Sequence, residues 1–203
     1  MQGGTDAPTR DEIETLVRDA QGGDAEAFAG LYEMFYGKIH RYVSFKTGNA
    51  TEAEDIAEEV FLRMLESINS FKWRGHPFSS WLFRIAHNLV VDHFRRKGRQ
   101  KTAPLEAASG LKGASFQDLD GSLDLKQSFA KVSDAMLGLT ELQRQVLSLR
   151  FAGELSVLET AQAMGKKENA VKALQHAAIK KLRSLLEPLP DESRDTAVPQ
   201  WSG

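Results

Sequence analysis

The chain has 203 residues and a formal net charge of −2, enough for one or two small domains with no overall basic character. It has no cysteine, which excludes disulfides, thiol nucleophiles and Cys-ligated zinc, and its five His residues show neither HExxH nor paired ligand spacing. No apolar run approaches a membrane span and the polar N-terminus lacks a signal-peptide core, so a soluble, cytoplasmic protein without membrane insertion is expected.

The near-neutral total conceals strong segregation. Thr51–Glu66 carries six acids and one Arg, or −5. Trp81–Lys101 carries six Lys/Arg and one Asp, and Gly165–Leu186 six Lys/Arg and one Glu, so each is +5. Solvated helix faces explain any one block, but less easily all three. The pattern suggests an anionic partner met at two places and a cationic or polar one at a third.

Residues 1–10 read as a disordered lead. Asp11–Glu14 fits a D-x-x-E helix start, and Gly22–Gly23 ends the short helix. Asp24 caps the next, where Phe28, Leu31, Tyr32, Phe35, Ile39 and Tyr42 keep helical spacing up to Gly48–Asn49. Thr51 and Glu54 form a T-x-x-E box for a third helix. Its apolar face is Ile56, Val60, Phe61, Met64, Leu65 and Ile68; the other face carries Asp55, Glu58, Glu59, Leu62 and Glu66. An acidic strip holding a stray Leu can dock a protein or simply face water.

Phe71–Arg99 concentrates aromatics and cations, with Trp73 and Trp81 two of the three Trp. Unpaired bases stack on rings while cations follow phosphates, so this composition suits single-stranded nucleic acid; a packed core with a solvated cationic face is the competing reading. Pro77 precedes a helix that Ser79 can cap, starting at Ser80 or Trp81 and running to Lys97. On that helix Leu82, Ile85, Ala86 and Leu89 share one face. Arg84, Asn88, Arg95 and Arg99 share another, with Asp92 beside them, and Phe83, His87 and Phe94 form a third strip. Mixed amides and arginines suit bases and phosphates.

Gly98 to about Ser122, rich in Gly, Ala and Ser with no apolar period, reads as a flexible linker and domain boundary. Helical spacing resumes through Leu125, Phe129, Val132, Met136 and Leu137. Thr140 and Gln143 form a T-x-x-Q box ahead of a helix whose core face is Leu142, Val146, Leu149 and Leu147. Ser156 and Glu159 form another box, Ala161 and Met164 face inward, and Gly165 closes that helix. Helix Glu168–Leu186 follows, with Val171, Leu174, Ala178, Leu182 and Leu185 inward. A short helix, a Gly turn and a longer basic helix make a helix-turn-helix, or else an ordinary helical hairpin. Lys167, Asn169, Lys172, Gln175 and His176 lie in the first turns of the second helix, the part that reaches base edges in a recognition helix. Pro188–Gly203 is a polar tail, read as disordered or as a small regulatory extension.

Three stretches together resemble bacterial sigma factors of the extracytoplasmic-function (ECF) group: DIAEEVFLRML at Asp55–Leu65, FSSWLFRIAHNLVVDHFRR at Phe78–Arg96, and the segment Leu139–Arg183. The resemblance implies an all-α fold of two small helical domains joined by a flexible linker. These would be a sigma-2 bundle at 11–100 and a sigma-4 helix-turn-helix at 123–187, with a linker at 101–122 and a tail at 188–203. It implies no catalytic site and no cofactor or metal. The implied partners are core RNA polymerase, promoter DNA and an anti-sigma factor.

The resemblance also distributes roles. Asp55, Glu58, Glu59, Leu62 and Glu66 match the surface that docks on core polymerase. The loop Phe71–Phe78 matches the one that captures a flipped −10 base, giving Trp73, His76, Phe78 and the adjacent Trp81 as candidates. Asn88 and Asp92 match positions facing the −10 element, and Arg84, Arg95, Arg96 and Arg99 would hold the opened strand. Lys167, Glu168, Asn169, Lys172, Gln175 and His176 match the −35 reader, although Ala173, Leu174 and Ala177 depart from the usual S-R-x-x-R arrangement. A self-standing helix-turn-helix regulator is the alternative; it explains Leu139–Arg183 but not the aromatic loop. An enzyme has no support, since no phosphate-cradling loop or converging carboxylates are present.

Overall fold

The computed structural model describes residues 9–73, 75–100, 132 and 134–186. Helix α1 spans Arg10–Gln21, α2 Ala25–Thr47 and α3 Ala50–Ser67, followed by a 3-10 turn at Ile68–Ser70. Helix α4 spans Phe78–Gln100. In the C-terminal part, α5 (Glu141–Leu147) runs into a π-helical turn at Ser148–Ala152, then come α6 (Val157–Ala163) and α7 (Glu168–Leu186). No strand occurs among the described residues, so the all-α expectation holds. The expected linker, the helical spacing at Leu125 and Phe129, and the tail lie outside the described residues.

Local signals place several helix ends. Asp24 Oδ1 accepts from the backbone of Glu26 at 2.8 Å, and Gly48 closes α2 in the left-handed region. Thr140–Gln143 and Ser156–Glu159 form reciprocal capping boxes as their spacing predicts. Gly165, at φ +62°, makes the turn between α6 and α7 that a side chain would strain.

Three helix starts differ from expectation. The α1 box is Thr9–Glu12, with Glu12 Oε2 accepting from Thr9 N at 2.7 Å, two residues before Asp11–Glu14. Helix α3 is capped by Asn49 rather than boxed at Thr51–Glu54, because the left-handed Gly48 leaves Asn49 extended with its Oδ1 3.0 Å from Glu52 N. Glu52 is instead turned towards α4, meeting His93 at 2.9 Å and Lys97 at 2.6 Å. Helix α4 starts at Phe78, directly after Pro77, whose carbonyl accepts from Ser80 N at 3.1 Å. Ser79 is therefore inside the helix and caps nothing.

The N-terminal core joins Leu31, Phe35, Ile39 and Tyr42 of α2, Ile56, Val60, Phe61 and Met64 of α3, and Phe78, Leu82, Phe83, Ala86 and Val90 of α4. Fully burying a side chain of this size contributes about 1.5–3 kcal/mol. Three leucines expected in the core are not buried: Leu65 is 56% exposed, Leu142 43% and Leu185 43%. Leu65 falls beside Leu62, one helical step off the Phe61–Met64–Ile68 line. Leu142 lies in the first turn of α5, where Gln145 and Leu147 are buried instead. Leu185 lies over Gly138, which has no side chain to enclose it.

The two halves also share a core. Leu149 and Leu155, from the C-terminal half, belong to the N-terminal apolar cluster. The backbone of Gly153 lies on the ring of Phe83, so close that a Cβ there would come within 2.6 Å of it. Around this contact Lys38 and Arg41 pair with Glu154, and Lys46 Nζ meets Glu141 Oε1 at 2.8 Å. His87 lies 3.3 Å from both Tyr42 Oη and Gln145 Nε2.

Two outcomes follow from these contacts. Thr160 is buried and its hydroxyl has no partner among the described residues, a state that costs about 1–3 kcal/mol. Thr160→Val keeps the shape and is expected to raise the thermal midpoint; a fall would contradict the assignment. Burial, aided by Lys46 and opposed by Glu141, holds His87 below the ordinary imidazole value of 6.5. Burial alone would raise Glu141, but Lys46 and Arg144 overcome it and hold its carboxyl below 4.5. Both groups bind protons more readily once the halves part. The contact between halves is therefore expected at full strength above pH 6.5, weakening as pH falls below it and further below 4.5. Radius of gyration against pH, by small-angle scattering, checks this; a flat profile would oppose it.

Candidate nucleic-acid interface

Helix α4 is two-sided because its apolar residues recur at helical spacing. Leu82, Phe83, Ala86 and Val90 are buried, whereas Arg84, Asn88, Arg95 and Arg96 are exposed. Asp92 is half-buried and accepts Arg95 at 3.0 Å, so one arginine of the row is already neutralised. The side chain of Arg99, in the last turn of α4, lies outside the described residues.

The aromatic loop divides differently. Phe78 is 1% exposed, its ring 5.6 Å from Phe35 and 5.4 Å from Phe71. It is a core residue here, because starting α4 at Phe78 turns the ring under the helix. Trp73 and Trp81 are half-buried and both stand against Phe71, at 5.1 and 5.4 Å between ring centres. His76 is exposed, on a loop turned at Gly75 with φ +75°. The structure thus brings Trp73, His76, Trp81 and Arg84 to the N-terminal part of α4, with two half-buried indoles over a closed floor of Phe71 and Phe78, while Asn88 lies at the middle of the helix.

On α3, Asp55, Glu58 and Glu66 are exposed, Glu59 is half-buried and Leu62 is 56% exposed. With Leu65 this makes an acidic ridge with two open leucines, one more than the sequence reading placed there. Arg63, the one cation of Thr51–Glu66, spans Glu59 at 2.8 Å and Glu66 at 3.0 Å, which raises its own pKa and blunts the acidity at the C-terminal end of the strip. With one cation against two carboxylates that end keeps a single negative charge, and most of the strip's charge lies at Asp55 and Glu58.

In the helix-turn-helix, Val146, Ala161 and Val171 form a small core that fixes α6 against α7. Lys167, Glu168, Asn169, Lys172 and His176 are exposed along α7. Gln175 is half-buried and accepts from Arg150 Nε at 3.1 Å, while Arg150 also donates to the carbonyl of Leu155. Gln175 is thus held from behind, which its sequence position could not reveal. Ala170, Ala173 and Ala177 are exposed between the polar residues. They leave the outer surface of α7 shallow enough for backbone to approach a groove.

A second set of contacts escaped the sequence reading. Ser79 donates to the carboxylate of Glu159, and Ser80 Oγ to the Glu159 carbonyl at 3.1 Å. Arg84 Nη2 donates to the Gln162 carbonyl at 2.7 Å, and Gln162 Nε2 to the Gly75 carbonyl at 2.9 Å. The available signal was the pair Ser79–Ser80 on an otherwise apolar helix start. Glu159 had already been assigned to its capping box, which it does form, with its other oxygen.

Comparison with known proteins identifies the family. The pattern of Sigma-70 region 2 matches residues 31–100, and that of Sigma-70 region 4 matches residues 135–184. The chain is 38% identical to the ECF RNA polymerase sigma factor BldN of Streptomyces coelicolor, over 88% of this chain and 66% of that one. It is 31% identical to the ECF RNA polymerase sigma factor SigW of Bacillus subtilis, over 87% of this chain and 98% of that one. Among solved structures, CnrH in complex with the cytosolic domain of CnrY shares the fold, with a TM-score of 0.64 at 22% identity, covering 88% of this chain and 97% of that chain. With both halves matched and a relative aligned over nearly its whole length, the chain belongs to the ECF RNA polymerase sigma factors.

Proposed function

We propose that this chain binds core RNA polymerase, carries it to particular promoters and helps open the DNA there, with no active site of its own. The observation that carries the reading is α4: one face is core, and the other presents Arg84, Asn88 and Arg95 beside two half-open indoles. Such a surface offers a displaced strand stacking at about 1–3 kcal/mol per base, with cations along its phosphates. Trp73, His76 and Trp81 receive the unpaired −10 base, with Phe78 as the floor beneath them. Asn88 and Asp92 face base edges; Arg84, Arg95, Arg96 and Arg99 follow the strand.

The ridge of Asp55, Glu58, Glu59, Leu62 and Glu66, extended by Leu65, docks on core polymerase. Lys167, Glu168, Asn169, Lys172, Gln175 and His176 read the −35 element as intact duplex. The domain limits that suit this division are 11–100 and 123–187. An anti-sigma factor is a fitting partner, since RpoE of Bartonella quintana, of similar fold at a TM-score of 0.59 and 21% identity, was solved with the anti-sigma factor NepR. In this reading the chain acts on chromosomal promoters and is therefore cytoplasmic. No helix among the described residues is long and apolar enough to cross a membrane. The self-standing regulator is not favoured, because the match over 31–100 lies outside the helix-turn-helix.

Run-off transcription with core polymerase tests the reading: specific transcripts are expected from some genomic fragments, and none from any would contradict it. Asn88→Ala is expected to lower initiation mainly through the −10 element, and Lys172→Ala through the −35 element. A lost bidentate base contact costs about 1–3 kcal/mol of discrimination, whereas a lost phosphate contact weakens all sequences alike. Transcription from promoters altered at one element at a time separates the two; equal sensitivity of both variants to both elements would sink the assignment.

A further inference from the structure

The C-terminal half carries an apolar surface that the described residues leave uncovered. Phe151 is 63% exposed, Leu186 42% and Ile179 37%. All three line one open groove of about 560 Å³, together with Met136, Leu147 and Leu182. Arg183 is the one charged residue of the described lining. A contiguous apolar face of this kind in water marks a place where something else packs.

Leu186 both ends α7 and lines the groove, so residues 187–203 leave the described chain at its rim. We propose that this C-terminal segment turns back along α7 and seats Trp201 in the groove, as a built-in cover for the apolar face. Length permits it. Trp201 stands fifteen positions past Leu186. A chain of that length reaches up to about 50 Å, whereas Ile179 lies only two helical turns back, about 10 Å.

Charge favours the same path. Glu187, Asp191, Glu192 and Asp195 against Arg194 give the segment −3. The last turns of α7 carry Lys180, Lys181 and Arg183, or +3, all exposed, and α7 has no acid after Glu168. None of these three cations meets a carboxylate among the described residues. Opposite charges within a Debye length of about 10 Å attract, and tethering keeps the local concentration of Trp201 at the groove high. An indole is also a strong anchor, since it buries about 150–250 Å² on a stiff side chain. The stretch 101–131, before the C-terminal half, has four Lys, four acids and no Trp. It offers neither the charge match nor the anchor.

Fluorine NMR of the full chain labelled with 5-fluorotryptophan tests the cover. Trp73, Trp81 and Trp201 give one signal each, and Trp201→Phe assigns the last. The Trp201 signal is expected away from its position in urea. Ile179→Asp is expected to return it to that position while the signals of Trp73 and Trp81 stay. Asp191→Lys with Glu192→Lys, changes confined to the segment itself, is expected to move it part of the way. A Trp201 signal at its urea position in the unaltered chain would overturn the inference. So would a displaced signal that Ile179→Asp leaves in place, or a displacement that appears only as protein concentration rises, because a second copy would then fill the groove. If Ile179→Asp disturbs all three signals, the fold is lost and the double variant decides: movement of Trp201 alone supports the cover, and an unmoved signal overturns it.

Discussion

The packing of Phe83 beneath Gly153 is the contact on which the arrangement turns. Phe83 is fully buried and sits edge-on to Tyr42, 5.4 Å away, so it is anchored in the N-terminal bundle. Its ring reaches the C-terminal half only because residue 153 carries no side chain. Leu149 and Leu155 flank it and complete the apolar cluster. Beside this approach Ala163 and Met164 pack on the N-terminal cluster and Phe45 packs on the cluster of Met136, Leu139 and Leu147, with polar and ionic contacts around them.

Helix α4 therefore has two tasks that pull against each other. Its buried strip must be rigid enough to hold α2 and α3 together. Its outer strip, in the proposed function, must be free to meet DNA. The structure satisfies the first and covers part of the second, since Arg84 and Ser80 are engaged while Asn88 remains open. His87, between the strips, touches Tyr42 on one side and Gln145 on the other. It links the state of the outer surface to the packing beneath it.

Much of this was legible in the sequence. The 3.6-residue spacing of Leu82, Ala86 and Leu89, the boxes at Thr140 and Ser156 and the turn at Gly165 are local signals, and local hydrogen bonding enforces them. The two-sidedness of α3 was legible for the same reason. Competing local signals were not resolved: Thr9 stands two residues before Asp11, and Asn49 two before Thr51, and each pair offers an acceptable cap. Phe78 lies in the loop to which the resemblance gives base capture, and composition alone does not say which aromatics a helix start turns inward. The embrace of α6 was invisible, since Ser79–Glu159 and Arg84–Gln162 join positions about eighty residues apart with no repeating pattern between them.

The account comes down to whether α6 lies on α4 in the free chain and leaves it in the working complex. Spin labels at Glu26→Cys on α2 and Lys180→Cys on α7, both exposed, allow pulsed electron–electron distance measurement in a chain with no other cysteine. A single narrow distance distribution is expected for the free protein, and a longer distance with core polymerase and promoter DNA; the same distribution in both states would contradict the release of α6 from α4.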